Sequence, residues 1–167
     1  MTFERRLSEL RGDAARRAIE ACCGAMEAGR ASSRQVRLAL RCEPCPEMGR
    51  FDRFLAHRDP ILRGNAAKVL AKWSPERVVE AILEERDSSA LSMMLQALVD
   101  VGYSDVDDLT PILRRGDALA EKAFQAFVKV GRADLLFTLA VGGDDITTER
   151  VRRYLDEQGW LDQAPGS

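Results

Sequence analysis

The sequence contains few aromatic residues and only one histidine. Phe, Trp and Tyr make up 6% of the 167 residues, whereas hydrophobic residues make up 46% and are mostly Ala, Leu and Val. This apolar content excludes a disordered chain and favours helices that pack closely. Any Ser-His-Asp or Cys-His catalytic arrangement would have to use His57, and no catalytic signature surrounds that residue. We therefore expect a protein that is not an enzyme.

Long apolar runs and strand-like patterns are also missing. No run approaches the roughly 18 apolar residues that identify a membrane-spanning helix. No alternation of apolar and polar residues extends beyond a few positions. Residues 1–10 lack the apolar core of a signal peptide. These absences predict an all-α protein in the cytoplasm with no membrane partner.

Lysine is missing from residues 1–63, which contain 13 Arg against 9 acidic residues. Residues 64–167 have the opposite balance, with 12 basic against 18 acidic residues. The overall net charge of −2 argues neither for nor against a nucleic-acid partner. The uneven distribution predicts a dipolar molecule with different partners at its two ends. Chance variation among solvated helix faces is the alternative interpretation.

The sequence does contain a helical pattern that repeats about every 29 residues, a period typical of helical solenoids. Three aspartates open its stretches of helical periodicity: Asp59, Asp87 and Asp117. Two stretches end in Val-Gly, at Gly102 and Gly131. We expect the chain before and after these stretches to consist of further helices that are joined by short turns.

Capping residues predict where the remaining helices begin and end. Asp13 is expected to cap a helix over residues 13–28 that Gly29 terminates, and Ser32 or Ser33 to cap the next helix. A further helix is expected to begin at Pro46, which suits a first helical position, and to end at His57 or Arg58. The later helices are predicted over residues 59–73, 74–86, 87–101, 104–114, 117–130, 133–141 and 144–158.

This succession of helix, tight turn and helix resembles HEAT-like repeats of the short bacterial and archaeal type, also found in phycobilisome lyases. The residues that carry the resemblance are Asp59-Pro60 with Arg63, Ala66-Ala67 and Leu70-Ala71, then Ala97-Leu98 with Gly102, then Ala126-Phe127 with Gly131. Leu91 and Glu121 stand where the family usually has an arginine. The resemblance covers residues 31–158. It implies a right-handed α-solenoid of helical hairpins, in one domain over residues 1–167 with 1–30 as an N-terminal cap and 159–167 as a frayed tail.

Stacked hairpins leave an extended surface that is lined by the second helix of each pair and suits protein partners. The predicted second helices contribute these polar residues: Arg50, Arg53, Glu80, Glu84, Asp108, Arg114 and Arg115. The sequence therefore predicts a non-enzymatic scaffold or adaptor that binds another protein. The resemblance also permits a lyase or assembly factor of the phycobilisome-lyase type.

Four arginines share one face of a predicted helix: Arg30, Arg34, Arg37 and Arg41. Arginine binds phosphates through paired hydrogen bonds, so a nucleic-acid binder is a third alternative. No interleaved aromatic residues support single-strand binding, and the chain is not basic overall. An acidic protein partner or a solvated face is the favoured interpretation.

The four cysteines allow three interpretations. Cys42-x-x-Cys45 lies in a Pro-rich turn with the spacing of a zinc knuckle, and Cys22 and His57 would complete a ligand set. The same pair would act as a redox couple if the helix N-terminus beside Cys45 stabilised its thiolate. Free structural thiols, with Cys22 on a buried helical face, are favoured over both. We therefore expect no cofactor, with zinc as the alternative.

Overall fold

The structure is a computed structural model that describes residues 10–30, 32–103, 105, 107–109, 111–112 and 145–157. Its α-helices are α1 (Gly12–Glu27), α2 (Ser33–Leu40), α3 (Pro60–Leu70), α4 (Pro75–Glu84), α5 (Ser88–Asp100) and α6 (Asp145–Glu157). A long 3₁₀ helix covers Pro46–Phe54 and a short one covers Asp107–Leu109. Over the described residues the only β-type pairing is an isolated bridge between Leu10 and Cys42. The predicted all-α class is confirmed.

The chain divides into two compact units, Met1–Tyr103 and Ser104–Ser167. The first contains α1 to α5 and the long 3₁₀ helix, and the second contains the short 3₁₀ helix and α6. One domain over residues 1–167 stays a prediction. The helices predicted over 117–130 and 133–141, the tail at 159–167, and Arg114 and Arg115 lie outside the described residues.

The N-termini of α2, α3 and α5 are capped by the side chains that the sequence predicts. The Ser32 hydroxyl accepts a hydrogen bond from the Gln35 amide, and the Gln35 side chain accepts one from the Ser32 amide at 2.9 Å. Asp59 caps α3 by accepting from the Ile61 amide at 2.9 Å. Asp87 caps α5 by accepting from two amides of its first turn. These side chains satisfy donors that a helix cannot pair internally.

Two helices end at glycines in the left-handed conformation, as predicted. Gly29 has φ +65° and Gly102 has φ +73°. After α1, the Arg30 amide bonds the Ala25 carbonyl at 2.8 Å and the Gly29 amide bonds the Met26 carbonyl at 3.0 Å. This pair of bonds is the Schellman arrangement, in which glycine avoids the steric penalty of a Cβ atom.

Two predicted helix boundaries differ from the structure. α1 begins at Gly12 with Arg11 at its N-cap position, so Asp13 lies in the first turn and is not the cap. Asp13 still places a carboxylate at the positive end of the helix. The helix at Pro46 is a 3₁₀ helix that ends at Phe54, before the predicted end at His57 or Arg58.

The centre of the first unit is α3, which contacts the long 3₁₀ helix, α2, α4 and, most extensively, α5. Leu70 of α3 and Leu91 and Met94 of α5 are fully buried. Burial of such side chains stabilises the fold by roughly 1.5–3 kcal/mol each. Gly64 is also buried, and a Cβ atom there would lie 2.7 Å from the Cβ of Met93 on α5. The missing side chain therefore permits the close contact of α3 with α5.

In the second unit, α6 buries one face. Val151 and Leu155 are buried, and Tyr154 is half-buried. The short 3₁₀ helix ends at Leu109, before Pro111, a residue that lacks a backbone donor and disfavours continuation of a helix.

Candidate functional site

A cleft of about 680 Å³ lies in the first unit, between the long 3₁₀ helix with its following loop and α4. These two elements lie in segments predicted to line a partner-binding surface, and the cleft brings together three of the predicted residues: Arg53, Glu80 and Glu84. The remaining lining residues are Asp52, Leu55, Ala56, His57, Arg58, Arg63, Arg77, Ala81, Glu85 and Arg86.

One end of the cleft is joined by a buried ion pair between Arg63 and Glu85. The Arg63 guanidinium donates to both Glu85 oxygens, with Nε–Oε2 at 2.7 Å and Nη2–Oε1 at 2.8 Å. Arg63 Nη1 also donates to the carbonyls of His57 at 2.7 Å and Arg58 at 3.2 Å. Glu85 Oε1 accepts from the amide of Arg86 at 2.8 Å. The pair therefore ties the loop before α3 to the loop after α4.

The Glu85 carboxyl is 6% exposed, and its pKa reflects two opposing effects. Burial acts to raise the pKa, but hydrogen bonds from Arg63 and from the amides of Asp87 and Arg86 outweigh burial and lower it. The hydrogen bond to Glu85 likewise raises the pKa of Arg63 above its ordinary value. Both groups are thus held in their charged forms, as expected for a paired and hydrogen-bonded buried charge.

The other end of the cleft is joined by Arg77 of α4. Its Nε and Nη2 atoms donate to the two Asp52 oxygens at 2.9 and 3.0 Å, and its Nη1 atom donates to Glu80. Asp52 belongs to the 3₁₀ helix, so this bidentate pair connects the two walls. The cleft is therefore bounded by an arginine bridge at each end.

Between the bridges the surface is part apolar and part charged. Leu55, Ala56 and Ala81 supply apolar surface. Within the described part of the chain, the side chains of Arg58 and Arg86 have no hydrogen-bond or ion-pair partner. This combination suits a ligand that buries apolar atoms and carries charge.

A row of ion pairs also links α1 and its N-cap residue to residues 43–53. Arg50 lies 3.5 Å from Glu20, and Arg53 pairs with Glu27. In the opposite direction, Arg11 at the N-cap of α1 pairs with Glu43, and Arg16 of α1 pairs with Glu47 in the first turn of the 3₁₀ helix. The sequence predicts Arg50 and Arg53 as partner-binding residues but does not reveal these pairs. Exposed pairs of this kind stabilise by about 0–1 kcal/mol, so both arginines stay accessible to a partner.

The predicted arginine face is only partly exposed. Arg30 and Arg34 are exposed, and Arg37 is exposed with its Nε atom donating to the Ser33 carbonyl at 3.2 Å. Arg41 is half-buried and engaged in interactions within the chain. The exposed part of this arginine face therefore ends at Arg37 and does not include Arg41. Asp108 is exposed in the second unit.

The predicted zinc ligands are not gathered into one site. All four are described residues, yet the described chain contains no group of three or more His, Cys, Asp or Glu residues arranged to hold a metal ion. Cys22 and Cys42 are buried, and the Cys42 thiol donates to the carbonyls of Ala15 and Leu38. His57 lies at the cleft, where its Nδ1 atom accepts from the Asp59 amide at 3.0 Å.

The thiol pKa values argue against a redox couple as well. Burial, with the neighbouring Cys23 and Cys42, raises the pKa of Cys22 to about 12. Burial also raises the pKa of Cys45, and a hydrogen bond with Glu47 adds to the shift. The redox alternative requires a lowered pKa at Cys45, whereas burial first and Glu47 second raise it.

A second cavity of about 340 Å³ lies between α2, α3 and α5 and is lined by Leu40, Lys68, Lys72, Ala97, Asp100 and Val101. Lys72 donates to the carbonyls of Leu40 at 2.8 Å and Cys42 at 2.7 Å. This lysine therefore serves the C-terminal end of α2, where unpaired carbonyls favour a cation.

Comparison with models of known protein families, with curated proteins and with solved structures finds no match to this chain. The resemblance to HEAT-like repeats therefore stays a prediction. In the part of the chain that the structure describes, no helix has both the length and the apolar character needed to cross a bilayer.

Proposed function

We propose that this chain is a non-enzymatic adaptor that binds another protein in the cleft between the long 3₁₀ helix and α4. The observation that carries the proposal is the form of the cleft. Arg63 and Arg77 join its walls, while Arg58 and Arg86 have no partner among the described residues. Apolar surface surrounded by charged side chains is the composition expected of a protein interface.

The proposal includes a HEAT-like, right-handed solenoid as the architecture. In support, α3 and α5, which open successive repeats, pack against each other more extensively than either packs against α4 between them. Such stacking of neighbouring repeats is what allows helical hairpins to bury their apolar faces. The cleft then lies between the second elements of two successive hairpins, where solenoids present binding surfaces.

A substitution that fills the cleft tests the proposed function. Ala81 is half-buried on α4 and lines the cleft, so Ala81→Arg places a long side chain in it. Ala21→Arg on the exposed face of α1 is the matched control. Partners captured from an extract of the source cells by the wild-type chain are identified by mass spectrometry and then purified. Their direct binding to each variant is measured by isothermal titration calorimetry.

We expect at least one purified partner to bind the wild-type chain and the Ala21→Arg variant equally. Its affinity for Ala81→Arg should be lower by tenfold or more, which corresponds to about 1.4 kcal/mol. Circular dichroism and thermal unfolding establish that both variants fold. If no partner depends on Ala81 although the variant is folded, the cleft is not the docking site and the proposal fails.

A further inference from the structure

Two arginines at one end of the cleft present their side chains to solvent. Arg58 and Arg86 are exposed, and within the described chain neither guanidinium has a partner. Their backbones meet at the same ion pair, because Arg63 donates to the Arg58 carbonyl and Glu85 accepts from the Arg86 amide. Both side chains therefore extend into solvent at the same end of the cleft.

The other charges in the cleft are largely neutralised within the chain. Arg63 and Arg77 hold acidic side chains of the opposite wall, and Arg53 pairs with a glutamate of α1. Of the acidic lining residues, Glu84 alone has no partner among the described residues. Among the described lining residues, two guanidinium groups and one carboxylate are thus unpaired, and the net charge of these unpaired groups is positive.

The distance between the Arg77–Asp52 and Arg63–Glu85 ion pairs limits the length of a segment that fits between them. Arg77 and Glu85 are eight positions apart along α4 and its end, which at about 1.5 Å per residue is on the order of 12 Å. An extended chain covers that distance in about four residues. The apolar surface of Ala56 and Ala81 between the bridges accommodates the methylene groups of such a segment.

We propose that the occupant of the cleft is a short acidic segment of a partner protein, with an Asp or Glu carboxylate held by Arg58 and Arg86. This inference rests on the proposed docking function of the cleft and names the chemistry of the partner. Arginine binds carboxylates through two parallel, charge-assisted hydrogen bonds, which favours this assignment. Glu84 lies two residues before Arg86 at the same end of the cleft and offsets part of the positive charge there, so the two arginines leave room for one carboxylate.

An NMR titration with short peptides tests this inference. Tetraglutamate is the probe, tetraglutamine is the uncharged control, and amide shifts in residues 55–58 and 84–87 report the site. The variants are Arg58→Gln, Arg86→Gln, both together, and Glu84→Gln. Arg17→Gln, at an exposed arginine of α1, removes the same charge away from the cleft.

We expect tetraglutamate to shift the amides of these two loops and tetraglutamine not to do so. Each arginine substitution in the cleft should weaken binding about threefold and the pair about tenfold, within the range of partly exposed ion pairs. Glu84→Gln should tighten binding about twofold because a repulsive charge is lost. Arg17→Gln should leave the affinity unchanged.

Equal weakening by Arg17→Gln and Arg58→Gln would show general charge attraction and overturn the assignment. Preferential binding of a thymidine tetranucleotide through the same arginines would assign the cleft to nucleic acid instead. If tetraglutamate does not bind while a purified partner still depends on Ala81, the acidic occupant is wrong and the adaptor function stands. If no partner depends on Ala81 either, both proposals fail.

Discussion

Replacing Gly64 by alanine tests the contact of α3 with α5 directly. The added Cβ atom would lie 2.6 Å from the Sδ atom and 2.7 Å from the Cβ atom of Met93. The sulfur can move away by rotation of the side chain, but the Met93 Cβ is fixed to the backbone of α5. Non-bonded carbon atoms are most stable about 3.5–4.0 Å apart. The two helices must therefore separate by about 1 Å at this point, since carbon–carbon contact otherwise becomes repulsive.

Two effects of opposite sign determine the magnitude. Alanine in place of glycine within a helix stabilises by about 1 kcal/mol. Overpacking of a well-packed contact destabilises by about 1–3 kcal/mol. Because the fixed Met93 Cβ is part of the clash, we expect a value in the upper half of that range. The expected net result for Gly64→Ala is a loss of about 1–2 kcal/mol in the free energy of unfolding.

Urea-induced unfolding followed by circular dichroism measures this loss. Gly24→Ala is the matched control, because Gly24 is exposed in α1 and its added Cβ atom meets nothing within 4 Å. The control should gain up to about 1 kcal/mol. Gly64→Ala should cost less in a Met93→Gly background than in the wild-type chain, since that background lacks the Cβ atom that causes the clash. If Gly64→Ala stabilises as much as Gly24→Ala, α3 and α5 do not pack as described.

Further predictions concern a buried charge, the thiols and a helix cap. The lowered pKa of Glu85 means that its stabilising effect is present above its ordinary pKa of 4.5 and is lost as pH falls through the lower, folded-state value. Glu85→Gln should therefore lower the free energy of unfolding by about 3 kcal/mol at neutral pH. Urea unfolding across pH should show that the stability of this variant falls less steeply in acid than that of the wild-type chain. An equally steep fall would contradict this. Iodoacetamide should label Cys45 well before Cys22 in the folded chain, because Cys22 is fully buried with a pKa of about 12, and equal labelling rates in peptide mass spectra would refute this. Ser32→Ala should destabilise by about 1 kcal/mol in thermal unfolding while Ser33→Ala changes little, and the reverse order would mean that Ser33 is the cap.

Most helix ends of the first unit could be predicted because their chemistry is local. Ser32, Asp59 and Asp87 cap helices through amides within three residues, and Gly29 and Gly102 end helices through their own backbone conformation. None of these interactions depends on how distant segments pack. A single sequence therefore contains the information that determines them.

The ion pairs that shape the cleft could not be predicted in the same way. Arg63 and Glu85 are 22 residues apart, and Asp52 and Arg77 are 25 apart. The sequence singles out Arg63 as a repeat position, but it does not distinguish Glu85 from the neighbouring Glu84 as its partner. Tertiary packing decides which of the two carboxylates at the end of α4 points inward, and this carboxylate pairs with Arg63.

The type of the helix at Pro46, 3₁₀ or α, could not be predicted from the sequence either. Proline predicts where the helix begins, but not whether its hydrogen bonds run to the third or the fourth preceding residue. The Met48 amide bonds the Cys45 carbonyl and the Leu55 amide bonds that of Asp52, both with the tighter spacing. A 3₁₀ run of this length is uncommon, and packing of Met48 and Phe51 in the core overrides local preference.

The cleft is assembled before any partner arrives, because hydrogen bonds of Arg63 and Arg77 already connect its walls. Binding of the proposed acidic segment would therefore order little of this chain, and most of the conformational entropy lost would be that of the segment. The association rate should then follow diffusion and charge attraction, without a slow closing step. Constraining the partner segment, for example as a cyclic peptide, should increase affinity, whereas further stiffening of this chain should not.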